Sequence, residues 1–519
     1  MKKVFLACIA SFSMLSVVNA QSYKYTLDVN QIKNDILPVS LVTPPQTSKK
    51  VIFSLPKIIP GTYAISDYGN FVDNVQAFTA AGKALPVKRL DVNRWEISNA
   101  HHMAKLTYNV EDIFDTDKKH NVYPMAATNF EENNVVLHYP GIIGFFENQG
   151  KLPFEVTINK PTNYFAATSK TPVKTTANQD VFDFTNVDDI YDMPAMYGKM
   201  DTVTIKVGLT DVLVAVYSPN GDIKAAPIAN KLSALIQGAK NYLGGKLPTD
   251  RYAFLYYIKG RGLKQSFPPG LSGALEHTTS SFYYLPEMPA AALENMIVNI
   301  SSHEFFHIIT PLTIASKEVK EFNYDEVVLS KHLWLYEGAT EYTAHHVQRK
   351  AGIDTEQQFL NKLSQKVTGS LLQYNDTLPF TTLSKSAATT YADQYGNVYQ
   401  KGALISACLD VYLLHLSEGN YGLRNLMHDL GVKYGANAYF NDDEIFDEIG
   451  KLSYPAIKDF LVKYVAGNTP IPYAEYFALA GVKFSTPSSK KLIIDENASA
   501  QAKFIREKWL GVDPVMPKN

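Results

Sequence analysis

Cysteine is almost absent: the 519-residue chain has 2, Cys8 and Cys408. Cys8 lies in a segment that reads as a removable leader, so no intrachain disulfide framework is available. A chain of this length can bury enough apolar core without one. Cys408, in the run Ala407-Cys408-Leu409, has no triad-like context and reads as a buried helix residue rather than a nucleophile. Charge of one sign is not in excess either: Lys and Arg number 49, Asp and Glu 51, and the formal net charge is −2. With no basic stripe, nucleic acid is excluded as a partner. Beyond the leader no apolar run approaches the ~18 residues of a membrane-spanning helix. Internal repeats and low-complexity segments are also lacking. The 12% aromatic content, mostly Tyr and Phe, suits strands and a carbohydrate or peptide cleft equally well.

The leader is Met1-Lys2-Lys3, a largely apolar stretch from Val4 to Val18, and the small-x-small site Val18-Asn19-Ala20. This pattern predicts a secretory signal peptide over residues 1–20, cut near Ala20, and hence an exported protein, periplasmic or secreted. The apolar stretch is too short for a membrane span.

After the leader, strands come first and helices later. Residues 21 to about 204 carry short alternating runs such as Tyr23–Leu27, Val51–Leu55, Leu106–Val110 and Phe154–Ile158. Turn residues separate them, including Pro44-Pro45 and Asn133-Asn134. The pattern predicts an antiparallel β-sandwich. Strands continue through Val212–Tyr217 and Ala253–Ile258. A loop-rich stretch with Pro268-Pro269-Gly270 follows, and helices are predicted near 290–310, 331–349, 355–373, 398–417 and 456–466.

The chemistry is concentrated in Ser301-Ser302-His303-Glu304-Phe305-Phe306-His307. Residues four apart are neighbours on a helix, so His303 and His307 can reach one metal ion. Glu304 is rotated off that pair and can act on a water rather than on the metal. The context is helical: Leu293, Met296, Ile297, Ile300 and Phe306 recur at helical spacing, and Pro311 ends the run. A helix burying two His and a Glu without a metal would need partners for all three. Catalytic zinc usually keeps three protein ligands and an open position. The third ligand is sought in Leu333-Trp334-Leu335-Tyr336-Glu337-Gly338-Ala339-Thr340-Glu341-Tyr342, at Glu337 on a second helix. Glu341, one turn on, is placed to accept the outer N–H of a ligand histidine. The expected cofactor is one Zn2+ per chain.

The pattern H-E-x-x-H followed by L-W-x-x-E-G-x-T-x-Y, with 29 residues between His307 and Glu337, resembles the glycyl aminopeptidases, gluzincin metallopeptidases related in fold to thermolysin and the membrane alanyl aminopeptidases. Gly273-Ala274-Leu275-Glu276-His277 is similar to the family's G-G-L-E-H, with one Gly replaced by Ala. Tyr399-Gln400-Lys401-Gly402-Ala403-Leu404 is similar to its Y-x-K-G-A-L, and Pro60-Gly61-Thr62-Tyr63-Ala64-Ile65-Ser66-Asp67-Tyr68 to a run in its N-terminal β-domain. The resemblance implies an α+β fold: an N-terminal antiparallel β-sandwich over 21–204, a thermolysin-like catalytic region over 205–365, a helical C-terminal part over 366–482 and a tail over 483–519. It implies that Glu276, on an edge strand with Gly273 and Ala274, binds the free α-amine of a peptide. Tyr399 would donate to the oxyanion, with Tyr395 a weaker substitute.

The expected function is therefore an exported zinc aminopeptidase acting on peptides with a free N-terminus through a zinc-activated water. Two alternatives stay open: an endopeptidase on the same site, or a non-enzymatic glycan- or peptide-binding protein with a vestigial zinc site. After His307 the chain reads Ile308-Ile309-Thr310-Pro311-Leu312-Thr313, without the Trp and basic residues associated with the family, which points to small neutral N-terminal residues. The 39 residues from 481 to 519 are too few for the PDZ domain that many members carry. His101-His102 and His345-His346, being adjacent pairs, are read as surface histidines, and His277 as lining the cleft or bonding within its loop.

Overall fold

The computed structural model describes residues 21–264, 270–435 and 437–514. The predicted leader, with Cys8, and Pro268-Pro269 lie outside the described residues. No described helix is long and apolar enough to cross a membrane.

The alternating runs form strands because alternate side chains have an apolar core to enter. In Tyr23–Asp28, Tyr23, Tyr25 and Leu27 are buried while Lys24 and Thr26 face outward. An eight-stranded sheet contains this strand with Ile36–Val42, Met103–Glu111, Val72–Thr79 and Phe154–Asn159. Its pairings are antiparallel except that Tyr23–Asp28 runs parallel to Phe154–Asn159. Two four-stranded sheets, one around Lys50–Ser54 and Arg94–Ser98 and one around Asn134–Leu137 and Ala195–Gly198, close over it on one shared core.

A second, five-stranded sheet follows, in the order Asp201–Val207, Thr210–Tyr217, Arg251–Lys259, Ser280–Pro286, Gly273–His277. Both of its faces are covered. Leu213, Ala215, Leu255 and Phe282 join the core of the N-terminal sheets, while Val212, Val214, Phe254 and Tyr256 pack on helices. This explains the near-continuous apolar runs in these strands. The helix on that second face, Ala225–Tyr242, is absent from the sequence expectation although Ile228, Leu232, Leu235, Ile236 and Ala239 carry its spacing. The five helices expected further on are all present, as Ala290–Phe306, Ala339–Lys350, Glu356–Gln373, Asn397–Leu416 and Pro455–Leu461. The stretch read as a tail holds a small hairpin, Val482–Phe484 with Leu492–Ile494, and a helix, Ala500–Leu510. Trp509 of that helix is fully buried, and its indole donates to the Tyr342 hydroxyl at 2.8 Å.

Where the N-terminal core meets the second sheet, His138 is buried with its ring edge-on to Phe282 at 4.6 Å. Its Nδ1 bonds the Ala127 carbonyl at 2.9 Å, and its Nε2 has no partner. Burial, with the nearby His277, pushes its pKa down to about 3. The unfolded chain takes up this proton near pH 6.5 and the folded one does not. The contribution of His138 is thus complete above pH 6.5 and is lost as pH falls toward 3, costing ~2 kcal/mol by pH 5. His138→Gln, which can still donate to Ala127 but does not ionise, should flatten the fall in thermal stability between pH 7 and 5. An unchanged slope would mean that other groups carry it.

Candidate metal and catalytic site

The two histidines stand one turn apart at the end of helix Ala290–Phe306, buried with Glu304 between them. Each is oriented from behind. His303 Nδ1 donates to Glu341 Oε2 at 2.7 Å, and His307 Nδ1 donates to the Thr310 carbonyl at 3.0 Å. With both Nδ1 atoms held from behind, both Nε2 atoms face inward, where neutral rings offer lone pairs to a metal. They lie 3.0 Å apart, and Glu337 Oε2 lies 3.3 Å from one and 3.6 Å from the other. Ligands of tetrahedral zinc, at bond lengths of ~2.0–2.1 Å, stand ~3.3 Å from one another. The three donor atoms therefore fit zinc in kind and in spacing. Glu276, Glu304 and His307 form a second close group of donors beside it.

Glu337 reaches this point because the chain from Trp334 to Gly338 makes a π-helical turn, a widening common at functional sites. The next residue, Gly338, meets Gly402 backbone to backbone: a Cβ on Gly338 would stand 2.5 Å from the Gly402 carbonyl carbon. That contact lets helix Asn397–Leu416 approach closely, and Tyr399, one turn before Gly402, comes to 5.6 Å from the His303 ring. The Tyr399 and Tyr395 hydroxyls are 2.7 Å apart. Two tyrosines weighed in the sequence for one role thus form one pair.

The electrostatics divide the carboxylates. Burial pushes Glu304 well above the usual carboxylate range, and the charges of Glu276, Glu337 and Glu341 add to this although His303 opposes it. Its Oε2 is buried without a hydrogen-bond partner. Burial, then the Glu337 charge, raises Glu276 to about 8. In Glu337 and Glu341 burial is outweighed: His307 and His303 hold the first below its usual value, and Lys366 and His345 hold the second well below. Burial opposes the charged form of His303, but Glu337 and Glu341 outweigh it and raise its pKa, whereas burial keeps His307 neutral, with a pKa of about 4.

Glu276 lies on Gly273–His277, the edge strand of the second sheet. Gly273, Ala274, His303, Glu304 and Tyr399 line one cleft of about 440 Å³. Residues of the N-terminal region enter it too: Gly61, Thr62, Tyr123 and Met125. Gly61 (φ 79°) presses on Glu276, whose carboxylate oxygens would stand 2.7 and 2.8 Å from a Cβ there. The Tyr63 ring comes from the same region and lies 5.5 Å from that of Tyr395. In the sequence this run is notable only for its likeness to the family, and no spacing ties position 63 to position 395.

One reading needs correction. His345 and His346 are not surface residues: both are buried, because helix Ala339–Lys350 is covered on nearly every side. His345 Nε2 donates to Glu341 Oε1 at 3.1 Å, and His346 bonds the Tyr242 hydroxyl and the Trp509 carbonyl. His101 and His102 are exposed. His277 is buried, its Nδ1 3.4 Å from Asp192. Cys408 is buried in helix Asn397–Leu416, and burial raises its thiol pKa.

Residues 24–199 match the Peptidase M61 N-terminal domain, and residues 296–405 match the M61 glycyl aminopeptidase domain. None of the curated proteins matches the chain. Among solved structures, an aminopeptidase N family protein from Idiomarina loihiensis aligns over 92% of this chain and 82% of its own, with TM-score 0.77 and 22% identity. A mutant M1 zinc metallopeptidase from Deinococcus radiodurans, bound to a Tyr-Ser-Ala substrate, aligns over 88% of this chain and 95% of its own, with TM-score 0.52 and 13% identity. At these identities the likeness establishes the fold.

Proposed function

The chain belongs to the M61 glycyl aminopeptidase family, and from that premise we propose that it is an exported enzyme removing small neutral N-terminal residues from peptides. Zinc metallopeptidase chemistry follows from the family. The residue roles, the export and the substrate preference are our reading. The observation that carries it is the convergence of His303, His307 and Glu337 donor atoms at 3.0–3.6 Å beside the buried, unpartnered Oε2 of Glu304.

In this reading His303, His307 and Glu337 hold the metal. Bound zinc supplies Lewis acidity, polarising the scissile carbonyl and making water a stronger nucleophile. The peptide backbone lies along the free edge of Gly273–His277, against Gly273 and Ala274, as an added strand. Glu276 receives the α-ammonium. Glu304 takes a proton from the attacking water and returns it to the leaving amine. Tyr399, steadied by Tyr395, donates to the oxyanion. Gly61, packed against Glu276, leaves little room beside the amine holder, which supports a small first residue.

The decisive comparison is one peptide, free and N-acetylated, against wild type and Glu276→Ala. Leaving a charge unpaired in such a pair costs ~2–5 kcal/mol. Glu276→Ala should therefore lower kcat/KM on the free peptide roughly 30-fold or more. It should change little on the acetylated peptide, which wild type cleaves poorly. If wild type cleaves both equally, the aminopeptidase reading fails and the endopeptidase takes its place.

A further inference from the structure

The carboxylate behind His303 has both of its oxygens occupied. Glu341 Oε2 accepts the His303 Nδ1–H at 2.7 Å. Glu341 Oε1 accepts from the Lys366 ammonium and from His345 Nε2, the latter at 3.1 Å. The lysine comes from a further helix, Glu356–Gln373, which carries none of the three converging donors. A capping box of Thr355 and Gln358 fixes the start of that helix, and Phe359, Leu360, Leu363 and Val367 seat it in the helical core. Lys362 and Lys366 stand one turn apart on it and so share a face. Lys362 Nζ bonds Asn299 Oδ1 at 2.9 Å and Gln348 Oε1 at 3.0 Å, and pairs with Asp354 at 2.6 Å. Lys366 reaches Glu341 instead.

Negative charge is crowded here. Glu304 and Glu341 line the cleft, Glu276 groups with Glu304 and His307, and Glu337 groups with both histidines. The Lys366 and Glu341 side chains are only 13% and 15% exposed, so water and salt screen their attraction little. Removing one partner of a buried pair leaves the other charge uncompensated. The effect of that loss would be felt at His303. A carboxylate that keeps its charge and one orientation holds an imidazole by its outer N–H and makes the inner nitrogen a better donor. An ammonium on Oε1 meets both conditions: it leaves Oε2 to His303, and it offsets a charge that the other carboxylates repel. Among the described residues lining the cleft are Glu341 and His345, and Lys366 is not one of them. Any effect of Lys366 on the metal centre has to pass through Glu341.

We propose that Lys366 is a positioning residue of the metal centre: its ammonium holds Glu341 by Oε1, so that Oε2 stays turned to His303 and the inner nitrogen of His303 stays turned to the metal. Helix Glu356–Gln373 then serves the active centre without touching metal or substrate. The inference rests on the zinc-peptidase reading above.

Lys366→Met keeps most of the side chain's length and removes its charge. In the full chain, zinc affinity is measured by competition with a chromophoric chelator for wild type, Lys366→Met, Glu341→Gln, the double variant and Lys362→Met. Loss of an outer partner of a metal ligand costs roughly 10–100-fold in affinity or activity, and Lys366→Met should reach the low end, roughly tenfold. With Glu341→Gln no carboxylate is left to hold, so adding Lys366→Met should cost nothing more. Non-additivity of this kind marks residues that act as one unit. Lys362→Met removes a lysine from the same helix face without touching Glu341, and should stay within about twofold of wild type. A loss under about twofold in Lys366→Met, the same loss in both backgrounds, or an equal loss in Lys362→Met would overturn the proposal, because the lysine would then act by packing alone. If Lys366→Met does not fold, the double variant decides: zinc affinity equal to that of Glu341→Gln supports the proposal, and failure to fold overturns it. A wild type that takes up no zinc at all would instead sink the zinc-peptidase reading, before the variants are compared.

Discussion

Glu304→Gln should keep its zinc and lose turnover by more than the ~10²–10⁴-fold usual for a general acid–base group. The substitution preserves size and polarity but leaves no carboxylate to take a proton. The loss should exceed the usual range because the same side chain also places the water. The metal site should survive, since the three atoms that converge belong to His303, His307 and Glu337. Removing one buried negative charge from a cluster that also holds Glu276, Glu337 and Glu341 should, if anything, relieve repulsion. The variant should therefore be at least as stable as wild type, so that lost activity cannot be laid to unfolding. Initial rates on an amino-acid amide and metal content on the same preparation give the answer. Near-wild-type turnover would mean that another residue is the base.

The legibility of this site in the sequence follows distance along the chain. His303, Glu304 and His307 lie within one helical turn, so periodicity alone places them together. Glu341 can be read because it sits one turn from Glu337, and the structure gives it the His303 N–H at 2.7 Å. Tyr399 and Glu276 are brought in by likeness to a family, since no spacing links strand, helix and metal. Tyr63 lies beyond reach for the same reason: its ring contact with Tyr395 spans the whole sheet region, and nothing in a Pro-Gly-Thr-Tyr run announces a left-handed tyrosine. His345 and His346 were misread because adjacency on a helix shows that two rings diverge, not that one of them reaches water. Here both directions are already occupied, by Glu341 on one side and by Tyr242 and Trp509 on the other.

The fold divides in the same way. Strands with one buried face show alternation, as in Tyr23–Asp28. The second sheet hides its pattern because the N-terminal core covers one face and helix Ala225–Tyr242 the other. The final helix is anchored by Ile505, Trp509 and Leu510, and three apolar residues in a polar stretch do not announce burial.

Glu337→Ala separates holding the metal from using it, and its expected effect matches that of removing the base. Two imidazoles alone rarely retain catalytic zinc, and here they would be left facing each other at 3.0 Å without a countercharge. The pKa of His303 is raised in part by Glu337, so removing that carboxylate weakens its hold on a proton. That change would favour a metal, yet it cannot replace the missing third donor. The variant also takes a negative charge away from the buried phenols of Tyr63, Tyr395 and Tyr399. Purified wild type should carry about one equivalent of zinc, and Glu337→Ala well under half of that after dialysis against a weak chelator. Turnover should fall by roughly 10³-fold or more and recover in part when zinc is added in excess. That partial recovery is the discriminating result, because Glu304→Gln, already loaded, should gain nothing from added zinc. Full zinc retention in Glu337→Ala would move the third ligand elsewhere, to Glu276, a carboxylate grouped with Glu304 and His307.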